Sequence, residues 1–175
     1  WRPALVILRI ERAALDVCWS TDGKKFAVAS GAKCVSMCIF DGSNDWWVSR
    51  LIRKKFKSTV LCCAFHPTHS QLLATGGSDF RCRVYSTFAS EVDGAAVNPG
   101  PFANAIEFGD AYCEMSTTGW VNSVAWSPSG RTLGYACHDS SLSFATFPDS
   151  GLSGSPPVQR VLCRGLPLTK LVFVS

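Results

Sequence analysis

An internal repeat constrains this chain more than any other feature. Setting Trp19 over Trp126 aligns Trp19-Ser20-Thr21-Asp22-Gly23-Lys24-Lys25-Phe26-Ala27-Val28-Ala29-Ser30 with Trp126-Ser127-Pro128-Ser129-Gly130-Arg131-Thr132-Leu133-Gly134-Tyr135-Ala136-Cys137, without a gap. Phe65-His66-Pro67 opens a third copy, which Leu72-Leu73-Ala74-Thr75-Gly76-Gly77-Ser78-Asp79 continues one residue longer. Leu171-Val172-Phe173 opens a fourth, and the anchors lie 46, 61 and 47 residues apart. Each copy joins an apolar strand ending in an aromatic residue, a polar turn with Gly, a strand of small residues and an Asp turn. At a period of about 40 to 45 residues, that order is the signature of β-propeller blades of four short strands.

The pattern predicts an all-β chain, a partial propeller over 1–175. Val121, Val124 and Trp126 precede a Pro-Gly turn, Cys82, Val84 and Tyr85 sit in a short apolar stretch, and no helical period runs to comparable length. The expected units are a blade over 14–52, with strands near 14–19, 25–30, 34–40 and 45–52; a blade over 59–119, with strands near 59–65, 71–76, 81–86 and an outer strand near 105–108; and a blade over 120–163, with strands near 120–126, 132–137, 141–147 and 157–163. Residues 1–10, through Leu5 to Arg9, read as the outer strand of a preceding blade, and 167–175 as the inner strand of the next. Both ends therefore read as cuts through structured regions.

Charged residues are only 17% of the chain and hydrophobic ones 47%, which excludes intrinsic disorder. No apolar run approaches the roughly 18 residues of a membrane helix, so no membrane insertion is expected. The nine cysteines include no Cys-x-x-Cys and lie within apolar runs such as Val60-Leu61-Cys62-Cys63-Ala64-Phe65, so they read as small buried hydrophobes of a reduced, cytosolic chain. Charge is unevenly distributed. Between Ala89 and Gly119 stand Glu91, Asp93, Glu107, Asp110 and Glu114 with no Lys or Arg, so this segment carries −5 and the remainder +9, which together make the +4 of the whole. With Pro99-Gly100-Pro101 and several Ala and Gly, residues 89–119 read as a mostly surface-exposed acidic insertion in the second blade.

In an antiparallel meander, the connection into each inner strand shares a face with the turn between the second and third strands. One face then collects Arg12, Lys33, Arg53, Lys54, Lys55, Lys57, Arg81 and Arg164. Such a run can be a solvated loop, but basic residues converging from three blades also suit an acidic partner segment. The candidate partner-binding residues are Arg53, Lys54, Lys55, Lys57, Arg81, Lys33 and Arg164. Catalytic signatures are missing: there is no Gly-x-Ser-x-Gly, no Gly-rich phosphate loop and no His-Glu-x-x-His. His66, His69 and His138 read as turn or packing residues, and Asp79 and Asp139 occupy matched turns where a short carboxylate bonds nearby backbone N–H groups. No cofactor or metal is expected.

Several stretches are more specific than the blade pattern: Asp45-Trp46-Trp47-Val48, Ser58-Thr59-Val60-Leu61, Phe65-His66-Pro67, Asp79-Phe80-Arg81-Cys82-Arg83-Val84, Glu91-Val92-Asp93, Thr118-Gly119-Trp120-Val121 and His138-Asp139-Ser140. On these the chain resembles, from end to end, the WD-repeat subunit of the actin-related protein 2/3 complex, subunit 1. Tyr85-Ser86, Ala145-Thr146 and Cys38-Ile39 stand where the Trp-Asp pairs of WD repeats would be. The resemblance implies a WD40-type propeller of seven blades, of which this chain holds three and two edges. It further implies a non-enzymatic scaffold in the cytoplasm and cytoskeleton, supporting nucleation of branched actin filaments. Its implied partners are the other subunits, actin filaments and the acidic tails of WASP-type nucleation-promoting factors, not nucleic acid. A filament-contacting insert of the family falls in a later blade, outside this chain. The other reading of the same residues is a stand-alone WD-repeat adaptor that binds peptides.

Overall fold

A computed structural model describes residues 3–94 and 100–174. They form three antiparallel four-stranded meanders. The first is β1 (Ala14–Trp19), β2 (Lys25–Ser30), β3 (Cys34–Asp41) and β4 (Trp46–Ile52), in that spatial order. The second is β5 (Val60–Phe65), β6 (Leu72–Gly77), β7 (Arg81–Ser86) and, after the short helix α1 (Ser90–Asp93), β8 (Ala111–Ser116). The third is β9 (Val121–Trp126), β10 (Thr132–Cys137), β11 (Ser141–Thr146) and β12 (Val158–Leu162). Three consecutive four-stranded antiparallel meanders fit the expected partial β-propeller. Among the described residues no helix is long and apolar enough to cross a membrane.

The repeat is legible atom by atom in the first turns of the first and third sheets. Ser20 and Ser127 do the same work: each backbone N–H donates to a carbonyl five residues on, at 2.9 and 2.8 Å, while each Oγ accepts the N–H of that same residue, Lys25 or Thr132, at 3.0 and 3.1 Å. Gly23 and Gly130 complete the turns at φ +69° and +73°, a region that disfavours side chains. The anchor pairs then fall in register, Trp19 opposite Phe26, Phe65 opposite Leu73 and Trp126 opposite Leu133. Each inner strand also slips register near its start, a bulge that sharpens the local twist.

The core lies in the two layers between neighbouring sheets. Ala27, Ala29, Val35, Met37 and Ile52 meet Val60, Cys63, Phe65, Leu73 and Tyr85 in one layer. Leu72, Cys82, Val84, Val121, Trp126, Leu133 and Tyr135 form the other, with Phe102 from the connection between β7 and β8. Burying each large aliphatic or aromatic side chain contributes about 1.5 to 3 kcal/mol. Small residues in the second strands permit the close approach: a Cβ on Gly76 would sit 2.4 Å from Val121 Cγ1, and one on Gly134 would sit 2.5 Å from Leu171 Cδ2.

Three expectations need correction. The outer strand of the second sheet is Ala111–Ser116, not 105–108, because Cys113 and Met115 can face the core from there while Glu114 pairs across the ladder with Arg83. The segment 89–119 is consequently no free loop: it contains β8, α1 and the buried Phe102, which stacks on Tyr112 with ring centroids 4.2 Å apart. Its residues 95–99 lie outside the described residues. Finally, Leu5 to Arg9 and Leu168 to Val174 carry no strand pairing among the described residues, since no second strand lies beside either. The second of these still packs as an inner strand would, with the Leu171 N–H on Ser123 Oγ at 3.1 Å and Asn122 Nδ2 donating to the Leu168 carbonyl at 2.8 Å. Trp1, Arg2 and Ser175 lie outside the described residues.

Candidate functional site

The charged surface is built around β7. Its register with β8 sets Arg83 opposite Glu114. Arg83 is almost fully buried: Nε donates to Glu114 Oε2 at 2.6 Å, an Nη donates to Asp79 Oδ2 at 2.8 Å, and the guanidinium lies 5.7 Å from the Phe56 ring centre. Arg81 Nε donates to the other Glu114 oxygen at 3.1 Å. Burial works against the Glu114 carboxylate, but the bond from Arg83 and the charges of Arg83, Arg81 and Lys55 outweigh it and hold the carboxyl below its ordinary range. Lys55 and Lys57, from the connection between β4 and β5, close a cleft of about 320 Å³ with Asp79, Arg81, Arg83 and Glu114. Four cations face two carboxylates there, a net charge of +2. The buried Asp79 Oδ1 has no hydrogen-bond partner among the described residues.

This arrangement divides the basic residues read from the sequence. Lys55, Lys57 and Arg81 do converge, but Arg81 is already bonded to Glu114, and Lys54 is bonded to Asp110 at 2.5 Å. The hydrogen bond that Lys54 donates to Asp110, followed by the charge of Asp110, raises the Lys54 pKa. Arg53 lines a different shallow cleft with Arg9, Arg50 and Phe108. Lys33, in the turn between β2 and β3, and Arg164, after β12, do not line the charged cleft. The compensating acids come from the segment read as a free acidic loop. Sequence reasoning missed Arg83, Asp79 and Glu114 as members. The available signal was alternation: Arg83 stands between Cys82 and Val84, and Glu114 between Cys113 and Met115, so each charge required a partner.

Two clasps join the units on either side. Lys25, fully buried in β2, donates from Nζ to Asp93 Oδ2 at 2.6 Å and to the carbonyls of Thr87 and Ser70 at 3.0 and 3.2 Å. Arg50 pairs with Glu91 beside it. Burial lowers the Lys25 pKa, opposed by the bond and charge of Asp93. On the other side, the buried His66 ring bonds the Gly130 carbonyl through Nε2 at 3.0 Å and accepts the His69 and Thr68 N–H groups at Nδ1, at 3.2 and 3.3 Å. Those bonds fix the neutral ring with its proton on Nε2. Burial, then the neighbouring His69, push its pKa down to about 4. Asp139 uses the expected turn bond, accepting the Ser141 N–H at 3.2 Å, and adds Arg160 at 2.7 Å. Among the described residues no group of three His, Cys, Asp or Glu could hold a metal ion.

A family model for the WD domain, G-beta repeat, matches residues 49–86 and 112–144. Over its whole length the chain is 44% identical to actin-related protein 2/3 complex subunit 1A of Arabidopsis thaliana, covering 45% of that protein. It is 43% identical to subunit 1A-B of Xenopus laevis, covering 46%, and 35% identical to subunit 1 of Saccharomyces cerevisiae, covering 44%. The chain thus spans rather less than half the length of the curated relatives it matches. The chain thus carries WD40 repeats and is similar along its whole length to actin-related protein 2/3 complex subunit 1 of plants, animals and fungi.

Proposed function

We propose that the protein is a non-enzymatic scaffold subunit of the actin-related protein 2/3 complex, supporting nucleation of branched actin filaments from the cytoplasmic cytoskeleton. The observation that carries this reading is the match along the entire chain, at 35 to 44% identity, to proteins that each bear the name of that complex's subunit 1. A scaffold needs rigid surfaces, and the interlocked sheets described above supply them. Purifying the tagged full-length protein and identifying what accompanies it by mass spectrometry tests the reading. Two actin-related proteins should co-elute in stoichiometric amounts; a protein recovered without them would overturn it and favour the peptide-binding adaptor.

The charged cleft supports the finer part of the proposal, a contribution to binding acidic WASP-type activator tails. Lys55 and Lys57 are its cations with no ion pair among the described residues. Exposed charge pairs contribute only about 0.2 to 1 kcal/mol each, so a single substitution has little effect while several together reach about tenfold in affinity. Reversing Lys55 and Lys57 to Glu in the full-length protein should weaken an acidic tail in a fluorescence anisotropy titration, more at low salt than at high. Adding Lys54→Glu should contribute less per charge through the tail, because Asp110 already neutralises Lys54. Unchanged binding would return the run to a solvated loop.

A further inference from the structure

We infer that Cys18 and Cys63 form a redox-responsive thiol pair that peroxide converts to a disulfide joining the first two sheets. Their Sγ atoms lie 3.3 Å apart, from β1 on one sheet and β5 on the next, 45 residues apart in sequence. The two inner strands are held side by side independently of sulfur, since Asp16 Oδ2 accepts the Cys63 N–H at 2.9 Å. A disulfide needs about 2.05 Å between sulfurs, so closure requires a movement of little more than about 1 Å, within reach of small side-chain torsions.

Strand alternation isolates this pair from the other seven thiols. Neighbours along a strand point to opposite faces. Cys62 accordingly faces the third sheet, with its Sγ on the Val121 carbonyl at 3.5 Å, whereas Cys63 faces the first, with its Sγ near Cys18 and 3.7 Å from the Ala27 carbonyl. Cys18 is half-buried while Cys63 is buried, and the contact with Cys18, then burial, raise the Cys63 pKa. These positions divide the roles: the accessible Cys18 meets the oxidant and Cys63 resolves it.

The chemistry balances with a hydroperoxide as oxidant. The Cys18 thiol gives up its proton, the thiolate attacks one oxygen of hydrogen peroxide, the O–O bond breaks, and the departing hydroxide takes up that proton and leaves as water, so Cys18 becomes a sulfenic acid and the peroxide takes up two electrons. Cys63 sulfur then attacks the Cys18 sulfur; the S–S bond forms, the S–O bond breaks, and the departing hydroxide takes the Cys63 proton to leave as a second water. A thiol reductant reverses it.

The test treats the purified full-length protein with hydrogen peroxide, blocks remaining thiols with N-ethylmaleimide, and maps peptides without reduction. The expected product is a peptide pair linking Cys18 to Cys63, lighter by two hydrogens and abolished by dithiothreitol. Cys18→Ala should reduce it at least tenfold and leave Cys63 alkylatable; Cys63→Ala should leave a Cys18 sulfenic acid that dimedone traps; Cys62→Ala should keep the link and settle which of the two adjacent cysteines is joined. Oxidation confined to the exposed Cys163, a linked peptide that survives Cys18→Ala, or a wild-type Cys18 sulfenic acid that never closes would each overturn the inference.

Discussion

Replacing Asp93 by Ala removes one half of the clasp that holds the second sheet's insertion against the first sheet. Lys25 Nζ would keep the Thr87 and Ser70 carbonyls but lose its one counter-charge within bonding distance among the described residues, in a place where its side chain has no exposure. Removing one partner of a buried ion pair costs about 3 to 5 kcal/mol, mostly because the remaining charge is stranded. Replacing both, as Lys25→Met with Asp93→Leu, should recover most of that loss, since apolar groups of similar volume need no counter-charge. The deficit also has a pH signature. Burial already holds the folded Lys25 pKa below its ordinary value, and removing Asp93 removes two of the three effects that opposed burial, leaving only the charge of Asp22. Between that lowered folded pKa and about pH 10.4 the unfolded chain binds more protons than the folded one, so stability rises with pH through that window and the deficit of Asp93→Ala is smaller at pH 9.5 than at pH 7. Urea denaturation of the full-length protein at both pH values measures this. A single variant within about 0.5 kcal/mol of the parent, or a deficit that does not change with pH, would refute the clasp.

Three further outcomes follow from the interfaces between sheets. Gly130→Ala should destabilise by about 2 kcal/mol or more, because its methyl would lie 2.3 Å from the buried His66 ring at a backbone φ of +73°; denaturation midpoints report it. His66 has a folded pKa of about 4 against about 6.5 unfolded, so its contribution is complete above pH 6.5 and falls away as pH drops toward 4, by up to about 3 kcal/mol; His66→Gln should flatten that part of the stability profile. Gly76→Ala should cost about 1 to 3 kcal/mol through overlap with Val121, and adding Val121→Ala should cost less than the two losses summed.

Local chemistry decided how much was legible beforehand. Turn-forming Ser20-Thr21-Asp22-Gly23 and Ser127-Pro128-Ser129-Gly130 close two-strand units through bonds spanning five residues, so a short window of sequence contains everything that makes them. The outer strand of the second sheet was misplaced because Ile106 and Phe108 mimic its apolar alternation, while the true strand carries Glu114, whose partner Arg83 lies 31 residues away. The ion pairs of the basic surface are hidden in the sequence for the same reason. Lys54 and Asp110 are 56 residues apart, and Lys25 and Asp93 are 68 apart. Only the fold brings such pairs together, and a count of charges cannot say which of them are spent internally. His66 read as a packing residue, and its bond to Gly130 in the next unit depends on that same stacking.

The proposed scaffold role has its most direct test in reconstitution. Actin-related protein 2/3 complex stripped of its own subunit 1 should recover actin nucleation in a pyrene fluorescence assay when the full-length protein is added, with the protein eluting as part of the complex on gel filtration. A protein that elutes separately and leaves nucleation at the stripped level would contradict the account.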